Sequence, residues 1–276
     1  MPHDLSAEAI EAAVSGRLGR PVRFFDAIGS TNDAAWGWAR DGAPEGALVV
    51  ADHQTRGRGR WDRAWIDHPG SSLMFSLILR PPPGGEAVSL LTTAAGLACA
   101  EAVEAVSGVP TGLKWPNDVT VDGKKLAGLL VESATRGERV ELAVVGCGLN
   151  VHLPSEMPSE VVGDATSISA ALERRGDGRS VDRAGLLAAI LAGFEHIYDR
   201  LGDDHGRAEL LRRAEGRSVV LGTMVTARMA DGRSLNGIAR GLLPSGALEL
   251  EVEGARLALH SAEITQLRTA PGSRSP

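Results

Sequence analysis

Cysteine is scarce: Cys99 and Cys147 are the only two in 276 residues. So few exclude a disulfide framework, and their separation gives no metal-ligand spacing. They read as buried thiols of a reducing compartment, which points to the cytoplasm. A basic surplus is also missing. Lys and Arg number 29 against 35 Asp and Glu, for a net charge of −6. A nucleic-acid binder usually has the opposite balance, so only a local basic patch is left open. No apolar run is long enough to cross a membrane. The segment from Met1 to Gly19 is acidic and broken by polar residues, unlike a signal peptide. The apolar and charged fractions, 43% and 23%, are ordinary for a globular chain. The length suits one large domain, or a large one and a small one.

The pattern of apolar residues predicts the elements. Leu5 to Leu18 reads as a short helix, and Arg23 to Ile28 as extended chain. Ser30-Thr31-Asn32-Asp33 supplies N-cap candidates for a helix through Arg40. Ala47 to Asp52 and Ser72 to Leu79 read as strands. Pro81 to Gly85 breaks the pattern, and Ser89 to Val106 reads as a buried, alanine-rich helix. Gly112 to Val121 reads as strand, turn and strand. Lys125 to Ser133 and Val140 to Val145 read as further strands, with Gly146 to Asn150 as a flexible turn after the second. Val181 to Arg213 carries one long amphipathic helical pattern. After Glu215 the texture changes to short strands at Ser218–Arg228, Ser234–Leu242, Ala247–Val252 and Arg256–His260, separated by glycine turns. That is a small all-β unit of about 50 residues, the size of a compact barrel. The chain from Pro271 reads as disordered.

The most informative stretch is Gly57-Arg58-Gly59-Arg60-Trp61-Asp62-Arg63-Ala64-Trp65. Glycine lets the backbone turn and approach a ligand. Arginine grips carboxylate or phosphate in a fork, and tryptophan offers a flat face to a ring. The loop therefore suits an anion and an aromatic base together. Four other segments stand out: Ser30-Thr31-Asn32, Lys114-Trp115-Pro116-Asn117-Asp118, Lys124-Lys125-Leu126-Ala127-Gly128, and Gly146-Cys147-Gly148-Leu149-Asn150. Taken singly, each reads as an ordinary loop, turn or surface charge. Their joint occurrence and order carry the weight.

In that order these motifs resemble biotin protein ligases, from about Phe25 to Leu267. The resemblance implies an α+β catalytic domain on a mixed sheet, related to class II aminoacyl-tRNA synthetases, followed by a small SH3-like β-barrel. The expected division is 1–214 catalytic domain, 215–270 β domain and 271–276 tail. It also implies a two-step reaction. Biotin and MgATP give biotinyl-5′-AMP and pyrophosphate, and a lysine of a biotin carboxyl carrier domain then takes the biotinyl group. Mg²⁺ comes with ATP, with no dedicated metal site. By match to the family, Lys125, Arg60 and Arg58 are catalytic. Ser30, Thr31, Gln54 and the Gly57 backbone meet the ureido end of biotin, with Gly128 and Gly146 where backbone passes close to it. Arg58, Arg60, Arg63, Lys125 and Trp65 meet the nucleotide and the reacting groups. Asn117, Asp118 and Asn150 are nucleotide-side or supporting. Asp118 either orients Lys125 or helps hold a metal.

Two departures from the family stand out. Asp62 replaces a usual glycine, which predicts altered nucleotide affinity or loop ordering through pairing with an arginine. About 20 residues precede the catalytic region, which leaves no room for the winged helix-turn-helix of some members. A monofunctional enzyme without a DNA or membrane partner is expected, with homodimers through the catalytic sheet as a family option. Its rivals are a lipoate protein ligase, a DNA-binding regulator and an inactive biotin-binding module.

Overall fold

The computed structural model describes residues 4–81, 88–137, 139–153 and 164–266. The expected breaker beyond Pro81, the tail 271–276 and the Asp62 side chain lie outside what is described. One sheet has seven strands in the order β1-β2-β5-β9-β8-β7-β6. These are β1 (Val22–Ile28), β2 (Leu48–Gln54), β5 (Ser72–Leu79), β6 (Gly112–Lys114), β7 (Asp118–Val121), β8 (Lys124–Arg136) and β9 (Arg139–Asn150). β1 and β2 run parallel and every other neighbour is antiparallel. The short pair β3 (Gly57–Arg58) and β4 (Ala64–Trp65) forms the base of the arginine loop.

Side-chain alternation along β8 and β9 explains how this sheet is two-faced. Ala143, Val145, Cys147 and Leu149 of β9, with Ala127 and Leu129 of β8, pack into the main core. That core is closed by α1 (Ala7–Ala13), α3 (Leu91–Ser107) and α5 (Arg183–Tyr198). The other face packs a smaller cluster, in which α2 (Thr31–Arg40) meets Val49, Ile78 and Val144. Beyond α2, Gly146 and Gly148 of β9 and Gly128 of β8 lie on this second face, where the site is built.

A second, five-stranded antiparallel sheet has the order β13-β12-β11-β10-β14. Its strands are β10 (Met224–Arg228), β11 (Ser234–Leu242), β12 (Leu248–Val252), β13 (Ala255–Leu259) and β14 (Glu263–Gln266). It has its own core, and Trp115 of the first unit belongs to that core. The indole is 8% exposed and donates from Nε1 to the Gly246 carbonyl at 3.0 Å. The backbone of Leu113 also bridges to Arg217 and Val219. The two sheets are thus joined at the Lys114–Asp118 turn.

Several expectations need correction. The glycine–asparagine segment is not a turn, since β9 continues through it to Asn150. Glycine here supplies a flat floor within a ladder. The long helix splits into α5 and α6 (Asp204–Gly216), because Asp203 caps a new helix by accepting from the Gly206 amide at 2.8 Å. The first helix ends at Ala13, and the Glu195 carboxylate takes the Leu18 amide at 3.0 Å instead of letting the helix continue. Residues 218–223 are not strand, because the Ser218 hydroxyl accepts from the amides of Val220 and Leu221. The helix α4 (Ile168–Arg174) and strand β14 have no counterpart in the sequence reading.

Candidate active site

A cavity of about 190 Å³ opens on the glycine-floored face of the large sheet, between α2, the arginine loop, the Lys114–Asp118 turn and β14. Ser30, Thr31, Gln54, Arg58, Arg60, Arg63, Trp65, Asn117, Asp118, Lys125, Gly128 and Gly146 all line it. Segments more than a hundred positions apart in sequence therefore converge on one cavity. Gly57 and Asn150 are not among the lining residues. A Cβ on Gly57 would stand 2.7 Å from the Trp65 carbonyl oxygen, so glycine lets the two ends of the loop close. Asn150 is buried and donates to the Thr166 carbonyl at 3.1 Å, tying β9 to the segment before α4. Its amide is thus committed to a backbone partner.

The polar end lies at the start of α2. Ser30 caps the helix. Gln54 Oε1 accepts from the Thr31 amide at 2.7 Å and is 3.0 Å from the Thr31 hydroxyl. Close by, Asp67 is buried and meets His53 Nδ1 and the Gln54 amide. Burial pushes its carboxyl above the usual carboxylate range, although the His53 bond opposes this.

The cationic end is braced by carboxylates and by the second sheet. Arg58 pairs with Asp33 at 2.7 Å and with Glu132 at 3.1 Å. Arg63 pairs with Glu263 of β14, and that hydrogen bond raises Arg63 and lowers Glu263 from their ordinary values. Lys125 Nζ stands 2.7 Å from Asp118 Oδ1 as an ion pair. Arg60 differs. Among the described residues its hydrogen bonds go to neutral groups: Asn117 Oδ1 at 3.3 Å, Ser261 Oγ at 2.6 Å and the Ala262 carbonyl at 3.4 Å. Burial, with Arg63 nearby, pulls its guanidinium below its ordinary value, against the pull of Asp118. Asn117 in turn donates to the Leu129 carbonyl at 2.8 Å.

The floor glycines seat side chains of the site itself. A Cβ on Gly148 would be 2.6 Å from the Trp65 ring, one on Gly128 3.1 Å from Lys125 Nζ, and one on Gly146 2.1 Å from Asn32 Oδ1. Trp65 thus lies flat on the sheet. Lys125 Nζ is 5.8 Å from its ring centroid. Within the loop Trp61 takes up the left-handed region, with φ 55°.

Sequence reasoning singled out the Ser30-Thr31-Asn32 segment but gave Asn32 no role, and it missed Glu132, Ser76, Ser261 and Glu263. Glu132 alone had a readable signal, since it lies four residues past Gly128 on the same face of β8. Among the described residues, no group of three or more His, Cys, Asp or Glu side chains is arranged to hold a metal.

The chain is similar to known proteins in both sequence and fold. Residues 24–150 match the model of the biotin/lipoate A/B protein ligase family. The chain is 37% identical over 248 residues to the bifunctional ligase/repressor BirA of Bacillus subtilis, covering 90% of this chain and 74% of that protein. It is 34% identical over 249 residues to the biotin–[acetyl-CoA-carboxylase] ligase of Mycobacterium tuberculosis, covering 87% and 86%. A solved structure of the biotin protein ligase from Aquifex aeolicus in complex with biotin and ATP superposes with a TM-score of 0.74 at 27% identity, covering 91% of this chain and all of that one. The chain belongs to the biotin protein ligase family.

Proposed function

We propose that the protein is a biotin–[acetyl-CoA-carboxylase] ligase. It activates biotin as biotinyl-5′-AMP and passes the biotinyl group to a lysine of a biotin carboxyl carrier domain. The carrying observation is the single cavity that joins a neutral polar end, at Thr31 and Gln54, to an end lined by Arg58, Arg60, Arg63 and Lys125. A bicyclic urea fits the first, and a carboxylate facing a triphosphate needs the second.

In the first step a biotin carboxylate oxygen attacks the α-phosphorus of MgATP, and pyrophosphate leaves. Both partners are anionic, so cations must bring them together. Lys125, oriented by Asp118, holds the carboxylate and phosphoryl oxygens as charge moves. Arg60, whose hydrogen bonds among the described residues go to neutral groups, contributes a further positive charge. Magnesium bound with the nucleotide would add positive charge at the phosphates, and Asp118 and Glu263, paired here with Lys125 and Arg63, are the described lining carboxylates that could turn to hold it. The cavity is smaller than the roughly 300–1,000 Å³ of typical ligand sites, so the Trp65 ring lifts from Gly148 when substrates enter and stacks on the adenine.

In the second step the neutral lysine amine attacks the adenylate carbonyl carbon, and AMP leaves. The mixed anhydride must be kept from water meanwhile. The loop does this while docked on the small sheet through Arg60–Ser261 and Arg63–Glu263.

The same reading takes 1–214 as the catalytic domain, of the class II synthetase type, and 215–270 as an SH3-like domain, with 271–276 a tail. It places the protein in the cytoplasm as a monofunctional enzyme with no DNA or membrane partner, and takes sheet-to-sheet pairing as its route to any homodimer. No helix among the described residues is long and apolar enough to cross a membrane. A lipoate ligase would bind lipoate in preference to biotin. Incubation with biotin, MgATP and an isolated carrier domain should add one biotinyl mass to the carrier by intact mass spectrometry. Lipoyl addition, or no addition, rejects the proposal.

A further inference from the structure

We propose that Glu132 is a positioning residue that fixes the hydrogen-bond polarity of the cavity's polar end and ties it to Arg58. The inference deepens the functional reading above and rests on it.

The residues form one continuous chain. Glu132 Oε2 accepts from Asn32 Nδ2 at 2.7 Å and from Arg58 Nη2 at 3.1 Å. Asn32 Oδ1 is 2.6 Å from the Ser76 hydroxyl, which is 2.8 Å from the Thr31 hydroxyl. Asn32 and Ser76 are buried at 4% and 0% exposure. The floor leaves room for this chain, since a Cβ on Gly146 would collide with Asn32 Oδ1 at 2.1 Å.

Counting hydrogens gives the chain a direction. A carboxylate only accepts, so Asn32 must turn its NH₂ to Glu132 and its oxygen to Ser76. A serine has one hydroxyl hydrogen, which is then committed to Asn32. Ser76 must therefore accept from Thr31. Thr31 then gives its hydroxyl hydrogen to Ser76 at 2.8 Å, while Gln54 Oε1, the competing acceptor at 3.0 Å, keeps the Thr31 amide as its donor at 2.7 Å; with either acceptor the hydrogen is committed within the protein. What Thr31 presents to a ligand is then an oxygen lone pair, matched to a ring N–H and mismatched to a carbonyl or ether. With glutamine at 132, the Asn32 amide can flip and the hydroxyls can reverse. The selective surface is lost while the packing is kept. Arg58 keeps its other partner, Asp33, at 2.7 Å.

The test measures ligand binding to the full chain by calorimetry without ATP, so no chemistry is needed. The ligands are biotin and a biotin N-methylated on the ureido ring. Wild type should prefer biotin strongly. Glu132→Gln should lose roughly tenfold or more in biotin affinity, as for a lost bond to a charged group, with a much smaller change for the methylated ligand. Its preference between the two should therefore collapse. Ser76→Ala breaks the chain elsewhere and should collapse the preference in the same way. An unchanged preference in both variants overturns the proposal, as does an equal loss for both ligands, which is what a merely structural role gives. A wild type that binds no biotin overturns the functional reading and this inference with it. A wild type that binds biotin beside variants of undiminished preference overturns this inference alone.

Discussion

Lys125 is the side chain on which the activation chemistry turns, and Lys125→Met isolates its charge. The backbone is pinned independently: Lys125 N donates to the Asp164 carbonyl at 2.7 Å, and the Thr166 amide donates to the Lys125 carbonyl at 2.8 Å. Methionine keeps most of the aliphatic stem, so the strand end should stay in place. The lost ion pair is 39% exposed on the lysine side and 21% on Asp118, which limits its share of stability to about 0.2–1 kcal/mol. Catalysis should suffer far more. Loss of a preorganised charge at a developing anion costs roughly 10²–10³ in rate. The substitution also uncovers Asp118. A carboxylate about 5 Å from a phosphate oxygen is repelled by on the order of 3 kcal/mol at an effective dielectric constant near 20, before salt screening. Biotin-dependent ATP–pyrophosphate exchange should thus fall by at least about a hundredfold in kcat/KM for ATP, with the melting temperature little changed. Lys125→Met/Asp118→Asn, which removes both charges, should recover about tenfold over the single variant. Exchange within threefold of wild type for Lys125→Met, or a double variant slower than the single, would refute the assignment.

Two further outcomes follow from how the loop and the small sheet are joined. Arg60→Gly removes the anchors to Ser261, Ala262 and Asn117, so adenylate should escape early. The sign is free biotinyl-5′-AMP in solution and biotin on lysines of an unrelated protein, and a leak equal to wild type rejects this role. Trp115→Ala empties the small sheet's core of its one residue from the first unit and deletes the bond to Gly246. Urea titration should show a loss of about 3–5 kcal/mol, and a loss under about 1 kcal/mol would mean that the indole does not join the two units.

Much of the fold was legible because it rests on local signals. An apolar run placed β5, glycine turns placed most of the small sheet, and Ser30 announced the start of α2. The cationic half of the site was legible for the same reason, since its arginines sit in one loop and its lysines in two short motifs. The glycine–asparagine segment misled because glycine marks turns on its own. In a sheet floored for side chains, the same residue type continues the strand, and only the packing of Trp65 and Asn32 over it reveals why. The single helix expected after Val181 kept its apolar period across a break that one aspartate cap creates. Ser76 and Ser261 were invisible for a different reason, and Glu132 showed only its place on the Gly128 face of β8. Glu132 reaches Asn32 across 100 positions and Ser261 reaches Arg60 across 201. Nothing local in those stretches records such pairings.

The most direct measurement is exchange of labelled pyrophosphate into ATP by the purified protein, with and without biotin. Label should enter ATP only when biotin is present, and lipoate should not substitute for it. No exchange with biotin, or equal exchange without it, would contradict the claim that this cavity joins a biotin carboxylate to the α-phosphorus of ATP.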